Sequence, residues 1–464
     1  MNKRFKKVIS TLIISFIIIV TSLLLYKNLG NRLNSLLVIC VLIVSLLLTV
    51  QGIFAIFLML YAWDSPKKMK RFKSPKKIIS PLLTFTALIP VRHEEVVIRD
   101  TILAVSNMVY PEHMKEIIVI CSDDDKGTIH KVNDVIKEIG KRNISLHIYS
   151  EPPINKPHAL NYALQYAKND VIAVFDAEDE PHKKLYEIIN TVMIQKKSDV
   201  VQSGVQLMNY KSNWFSVFNV LEYYFWFKSS LPFFANQGVI PLGGNTIFFK
   251  RETLKKVGGW DPKCLAEDAD IGIRLSQIGA KINVIYDEEH ATREETPPDL
   301  QQFIKQRTRW IQGFIQVLNK KEWKKLPSFT HKILALYILT ISRAQALFLV
   351  YIPFSIFMII MVKIPLTIAL ISILPLYILI IQIAIYNIGL YEFTTQYKIK
   401  YSIFVPLNIV LTFFPYQVIL SYCAMRAIFR NLKKNNSWEK TKHTNAHRQH
   451  EIDEMNIPLS ELQK

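Results

Sequence analysis

Apolar stretches long enough to cross a bilayer stand at both ends of this chain, with a long segment of mixed composition between them. Residues 8–26 and 36–63 carry no charged side chain, and residues 333–362, 364–391 and 401–425 carry only Arg343. A helical span needs about 20 such residues, so the ends are expected in a membrane and the middle outside it. The first stretch follows the basic start Lys3, Arg4, Lys6 and Lys7, as a secretory signal would. No small-residue cleavage site follows it and a second apolar stretch begins almost at once, so it reads as an uncleaved anchor.

A formal net charge of +19 raises the question of nucleic acid, and the placement of that charge answers it. Seven bases lie within residues 67–77, directly after the second apolar stretch, and more lie within 426–434, directly after the last. Bases beside span ends mark the cytoplasmic side and meet anionic headgroups. No basic groove interleaved with aromatic side chains is present, so nucleic acid is not an expected partner. Cys40, Cys121, Cys264 and Cys423 form neither a CxxC nor a zinc pattern, which fits a reduced compartment and packing roles.

The middle, residues 82–325, is the right size for one α/β domain. Short apolar runs at 85–91, 117–121, 171–175 and 199–202 alternate with helical patterns at 158–167 and 183–194. That alternation predicts a largely parallel sheet covered on both faces, with ligands gathered at the carboxyl ends of its strands. The chain divides accordingly into two N-terminal spans with a basic linker (1–81), the α/β domain with interfacial helices (82–325), a C-terminal bundle (326–430) and a polar tail (431–464). No internal repeat is present, and the extreme end of the tail reads as flexible.

Three apolar strands run into acids. The first ends at Pro90 and Glu94, the second at Asp123, Asp124 and Asp125, and the third at Asp176, Glu178, Asp179 and Glu180. One acidic turn is ordinarily a helix cap. Three at successive strand ends place like charges together, which is costly unless a cation bridges them, and hard oxygen ligands suit Mg²⁺ or Mn²⁺. Between them, Asn155 and Lys156 open a helix, where backbone N–H groups and a lysine suit phosphate. Gly243–Gly244 and Gly258–Gly259, in a chain with 14 glycines, read as tight turns or as backbone brought close to something. Glu267, Asp268 and Asp270 open another helix, as a capping device or as a place to fix a general base. Residues 301–318 form an amphipathic pattern, and 212–231 are dense in aromatics; both fit helices lying at the membrane interface.

In order and spacing these residues resemble the processive family-2 glycosyltransferases, the cellulose, hyaluronan, chitin and poly-N-acetylglucosamine synthases. The resemblance covers residues 82–318 and the flanking spans. It implies an α/β GT-A fold, a Rossmann-like nucleotide-diphospho-sugar transferase domain held between transmembrane helices. It implies a nucleotide pocket bordered by Pro90 and Glu94, with Asp123 or Asp124 on the base and Lys156 on the donor. Asp176 matches the first position of an Asp-x-Asp metal motif whose third position is here Glu178, with Asp179 beside it; either is the second ligand. Asp268 inherits the role of general base, with Glu267 beside it, although an alanine replaces the threonine that begins that motif. Gln306, Arg309 and Trp310 keep the Gln-x-x-Arg-Trp pattern, with the arginine on the diphosphate. Trp310 borders the acceptor, together with Gln306, Gly243 and Gly244. Composition alone makes the tail a solvated exit, but Trp438, Thr441 and His443 resemble the family's mobile gating segment, here at the C-terminus.

The expected activity is inverting, metal-dependent transfer of sugar from a nucleotide donor, a UDP-sugar before a GDP-sugar, to a growing polysaccharide at the cytoplasmic face of the plasma membrane. The product would leave through the protein's own spans, with accessory export subunits as candidate partners. Transfer of one sugar to a polyprenyl phosphate or other lipid is the alternative. A transporter or scaffold is a reading of a different class, and it has only Arg343 as an ionisable group inside the later spans. For topology, an even number of C-terminal crossings is expected. Residues 401–425, holding Pro406 and Pro415, are the first candidate for a segment that does not cross, and the stretch around Arg343 is the second.

Overall fold

A computed structural model describes residues 32–140, 143–361 and 364–448, so the first apolar stretch and the extreme end of the tail lie outside the described residues. The α/β domain is built on nine strands: β1 Phe85–Val91, β2 Lys115–Ser122, β3 Ile144–Tyr149, β4 Val171–Val174, β5 Val200–Ser203, β6 Val205–Leu207, β7 Ile247–Lys250, β8 Ile282–Ile285 and β9 Thr292–Glu294. Seven of them form one sheet in the order β3-β2-β1-β4-β7-β5-β8, and β6 pairs with β9. The expected parallel sheet is interrupted once, because β7 runs antiparallel to both β4 and β5. β1 and β4 are almost wholly buried, as strands covered on both faces must be, and this accounts for their continuous apolar runs.

Helices cover the sheet. The ones that position the site are α1 Arg32–Asp64, α2 Lys126–Ile139, α3 Lys156–Leu164, α4 Leu185–Gln195, α5 Ser216–Phe225, α6 Glu267–Gln277, α7 Leu300–Lys320, α8 Phe329–Met361, α9 Leu374–Gln396 and α10 Phe404–Leu432. Local signals set several ends. Asp125 caps α2 by accepting the Thr128 N–H at 3.2 Å, and Gly140, at φ +65°, closes it in the left-handed region. From the central β1, the chain steps outward to β2 and β3 and then back across to β4. The gap between the carboxyl ends of β1 and β4 is therefore where the winding reverses, which is where such sheets bind ligands.

Among the described residues, three helical stretches are long and apolar enough to cross a membrane: Val38–Asp64, Leu374–Gln396 and Phe404–Leu432. A fourth candidate is the pair Phe329–Phe348 and Val350–Ile360, bent by 44°. Both candidates for a non-crossing segment are helical. The helix α10 runs on through Pro415, whereas the stretch around Arg343 is the bent one.

The two helices expected at the membrane interface pack on the candidate spans α9 and α10. In α5 and just beyond it, Phe215, Phe218, Tyr224, Phe225 and Phe227 are buried. Phe218 stacks on Tyr416 of α10 at 4.5 Å between centroids, and Phe225 meets Tyr386 of α9 edge-on. The apolar face of α7, through Ile311 and Ile315, packs on Cys423, Ala424 and Ala427 of α10. Gly313 allows it to approach Ala266, where an added Cβ would come within 2.4 Å of the alanine Cβ. Bases following the last span have protein partners too: Glu439 accepts from both Arg426 Nη atoms, at 2.6 and 2.7 Å, and lies 3.1 Å from Arg430.

Candidate active site

A cavity of about 430 Å³ opens at the β1–β4 reversal. Its walls come from the ends of β1 and β4, the starts of α3 and α6, the Gly243–Asn245 loop, the middle of α7 and the C-terminal tail. Of the residues to which the resemblance assigns a role, all line it except Asp123, Asp124 and Asp179. Asp124 is exposed and pairs with Arg92 at 3.1 Å. Asp123, also exposed, donates its backbone N–H to Tyr149 O at 3.0 Å. Arg92 and Tyr149 are the ones that reach the wall.

Lys156 is fixed by its own helix start. Asn155 caps α3 by accepting from the His158 N–H at 3.0 Å, and its amide donates to Pro262 O at 2.8 Å. The ammonium that follows donates to Gly244 O at 2.9 Å, pairs with Asp176, and lies 3.9 Å from Glu267. Burial alone would lower its pKa, but Asp176 and Glu267 outweigh that and raise it, so the lysine is a permanent cation.

The acidic turn after β4 divides its labour. Asp179 is fully buried and turns inward, accepting the Asp176 N–H at 2.9 Å and the Asn245 amide at 2.6 Å. That makes it a support of the turn. Glu178 points the other way, and its carboxylate oxygen lies within 4.8 Å of oxygens from Asp176 and Glu294. Of the two candidates for a second metal ligand, the geometry therefore favours Glu178. Burial first, then the neighbouring Asp176, pushes Asp179 up to about 7 and Glu178 well above the usual carboxylate range. Glu294 is raised likewise by burial and by Asp179. Carboxylates this crowded favour protonation or a shared cation, and three hard oxygens suit Mg²⁺ or Mn²⁺. The donor set fits such an ion.

Opposite this cluster, α6 begins with Glu267 and Asp268. Glu267 is buried, and burial followed by the partly compensating Lys156 leaves its pKa at about 7. Asp268 is more open; burial raises its pKa, while the Ala269 N–H, donating at 2.8 Å, holds it back. Gly244, at φ +86°, bares its backbone beside this carboxylate, since an added Cβ would lie 3.3 Å from Asp268 Oδ2. Gly243 is small for another reason, because its Cβ would press on Phe227 at 2.9 Å. Asp270 is occupied elsewhere, by Arg274 at 2.9 Å and Lys320 at 2.6 Å.

Along α7, Gln306, Arg309 and Trp310 face the cavity. Gln306 brings a buried carbonyl oxygen without a hydrogen-bond partner. Trp310 lies near Tyr223, with centroids 6.4 Å apart.

The tail closes the remaining side. The guanidinium of Arg309 sits over the Trp438 ring. Lys440 pairs with Glu94 at 2.9 Å and donates to His93 O at 2.6 Å. His443 Nδ1 lies 3.4 Å from Glu178. Thr441 is buried, and its hydroxyl lacks a hydrogen-bond partner. Beyond them, Thr444 Oγ1 donates to Glu295 at 3.0 Å and the Ala446 N–H donates to the same carboxylate at 2.6 Å. This is a strap across the site, where composition alone suggested a solvated exit. Burial pushes Glu94, beneath the strap, up to about 7, with His443 opposing the shift.

Sequence reasoning missed Glu294, Asn245, Tyr223 and Lys440, which all line this cavity.

A family model described as glycosyltransferase-like family 2 matches residues 81–313. The chain is similar to the probable glycosyltransferase YdaM of Bacillus subtilis, 28% identical over 302 residues, covering 61% of this chain and 66% of that one. It is 26% identical over 243 residues to the β-monoglucosyldiacylglycerol synthase of a Nostoc species, covering 52% and 51% of the two chains. It is also 26% identical over 270 residues to the poly-β-1,6-N-acetyl-D-glucosamine synthase of Staphylococcus epidermidis, covering 56% and 61%. The chain thus spans between 51% and 66% of the length of these relatives. Among solved structures, the mannosyltransferase PcManGT of Pyrobaculum calidifontis, in complex with GDP-Man and Mn²⁺, aligns with a TM-score of 0.54 at 17% identity, over 85% of this chain and 99% of that one. That likeness bears on the fold alone, and it is the GT-A fold.

Proposed function

The chain belongs to glycosyltransferase family 2, and from that premise we propose that it transfers sugar from a nucleotide-diphosphate donor, with inversion, to a growing polysaccharide at the cytoplasmic face of a membrane it crosses several times. The observation that carries this reading is the convergence on one cavity of a carboxylate able to act as base, Asp268, with the cations Lys156 and Arg309 and the oxygen cluster of Asp176, Glu178 and Glu294.

Each group has a task in such a transfer. Asp268 takes the proton from the acceptor hydroxyl as that oxygen attacks the sugar, and burial, which raises its pKa above the usual aspartate value, makes it the stronger base. Lys156 and Arg309 face the diphosphate and stabilise its growing charge as it departs. Asp176, Glu178 and Glu294 would hold Mg²⁺ or Mn²⁺, which supplies further neutralisation of the leaving group. Gln306 and the flat face of Trp310 receive the acceptor. Trp438, Thr441 and His443 close over the donor and exclude water. The bases within 67–77 orient the domain toward the cytoplasm.

A lipid acceptor is the second reading, and the similarity to a glucosyldiacylglycerol synthase supports it. One experiment separates them: purified full-length protein in lipid nanodiscs, given a panel of radiolabelled UDP- and GDP-sugars with Mn²⁺, with the products sized. A ladder of glycan supports polymerisation, and a single labelled lipid supports the alternative. No nucleotide release from any donor contradicts both.

A further inference from the structure

One partly buried ion pair has no place in the chemistry above. Arg307 is two residues before Arg309 on α7 and so faces away from the donor side. Its guanidinium pairs with Glu222 of α5 and donates to Asn219 of the same helix. The other oxygen of Glu222 accepts the hydroxyl of Tyr416, on the candidate span α10, at 2.8 Å. Tyr416 is fully buried and stacked on Phe218. The same guanidinium carbon lies 4.9 Å from the centre of the Trp310 ring and 5.1 Å from that of Phe303, clasped between two rings of its own helix.

We infer that Arg307, held by Glu222 and Tyr416, is a positioning residue that fixes the Trp310 ring and ties the acceptor side of the cavity to the membrane helix α10. The inference rests on the proposed role of Trp310 in receiving the acceptor. A tryptophan on a helix facing a cavity has rotamer freedom, and an acceptor resting on a loose ring would present its hydroxyl to Asp268 only part of the time. A guanidinium against the ring face restricts that freedom through cation–π attraction, provided the guanidinium is itself immobile. Arg307 is: a carboxylate, an amide oxygen and two rings surround it. Arginine suits the task because its planar group stacks and hydrogen-bonds at once, which an ammonium does not. The contacts from Trp310 to Arg307, Glu222 and Tyr416 link the acceptor side of the cavity to α10.

The test compares acceptor use with donor use. Full-length protein in nanodiscs containing diacylglycerol is given a radiolabelled UDP-sugar that the wild type turns over, with β-linked N-acetylglucosamine oligosaccharides as the second acceptor probe. Sugar transferred is measured against nucleotide released to water. Arg307→Ala is expected to raise the acceptor KM and the hydrolysed share, with transfer falling about a hundredfold, the usual scale for a misplaced reacting group, while the donor KM stays within about twofold. Arg307→Lys is expected to recover only part of the transfer, because it keeps the charge and loses the plane. Tyr416→Phe, which removes one hydroxyl and keeps the stack, serves if Arg307→Ala does not fold, and is expected to shift the same ratio more weakly. Unchanged acceptor use in Arg307→Lys and Tyr416→Phe, or donor and acceptor terms falling together, overturns the inference. Trp310→Ala locates the fault: if it too leaves acceptor use intact, the reading of Trp310 has failed, and if it abolishes acceptor use while the Arg307 and Tyr416 variants do not, only the positioning role has.

Discussion

The guanidinium carbon of Arg309 lies 4.6 Å from the centroid of the Trp438 ring, so a residue at the heart of the cavity is covered by one from the C-terminal tail. The two are 129 positions apart in the chain (438 − 309), and their contact turns an apparent appendage into a wall of the site. If the tail closes over donor, Trp438→Ala should weaken donor binding. The lost cation–π contact is worth about 0.5–2 kcal/mol, or about two- to thirtyfold in affinity. Folding and membrane insertion should be unaffected. Truncation after Lys434 that leaves sugar transfer at wild-type rate would show that the strap has no part in turnover.

The acidic cluster predicts a metal requirement with an order among its members. Asp176→Asn and Glu178→Gln should each reduce Mn²⁺-dependent turnover strongly. Asp179→Asn should act through stability, because Asp179 supports the turn from inside it. Full activity in EDTA, or metal affinity lost equally in all three variants, would contradict that division.

The same cluster sets a pH dependence of stability. Asp179 is raised to about 7 by burial, and Glu178 and Glu294 are raised well above their usual range. A carboxyl whose folded pKa exceeds its unfolded one stabilises the fold below the unfolded pKa, and that contribution is lost as pH rises through the folded pKa. The metal-free protein should therefore lose thermal stability between about pH 5 and 8, and saturating Mn²⁺ should restore more at the upper end than at the lower. A Tm that rises over that range without metal would count against it.

Topology offers a further check. The candidate spans are Val38–Asp64, α9 and α10, with the bent α8 as a fourth, and the proposed function has the α/β domain facing the cytoplasm. Because the strap reaches the cavity, residue 435 must lie on the same side. A cysteine at that position should be labelled only from the cytoplasm, and labelling from outside would break the scheme.

Much of this was legible in the sequence, for physical reasons that particular residues illustrate. β1, β2 and β4 hold apolar runs, and the acids that follow them stand out against those runs. β7, β8 and β9 are only three or four residues long, too short for a period-two signal to show, and Glu294 was lost with β9. β3 is half-exposed at the edge of the sheet, which blurs its pattern. The aromatic run around Tyr223 and Phe225 carries the same composition whether it meets headgroups or buried rings, so only the packing on α9 and α10 could decide. The tail shows the limit most clearly. Its polar composition pointed to solvent, and only partners outside it, such as Glu295 on Thr444 and Arg426 on Glu439, reveal why it is held down.

In the proposed reaction, Asp268 activates an acceptor for sugar transfer in this cavity. Asp268→Asn keeps the shape of the side chain and removes its ability to take a proton. The most direct measurement is radiolabelled sugar transfer by the wild type and this variant, alongside donor affinity for both. The account predicts transfer lowered by about 10²–10⁴ with donor affinity nearly unchanged. Near-normal transfer by Asp268→Asn would contradict it and move the base elsewhere, with Glu267 the neighbouring carboxylate in the cavity.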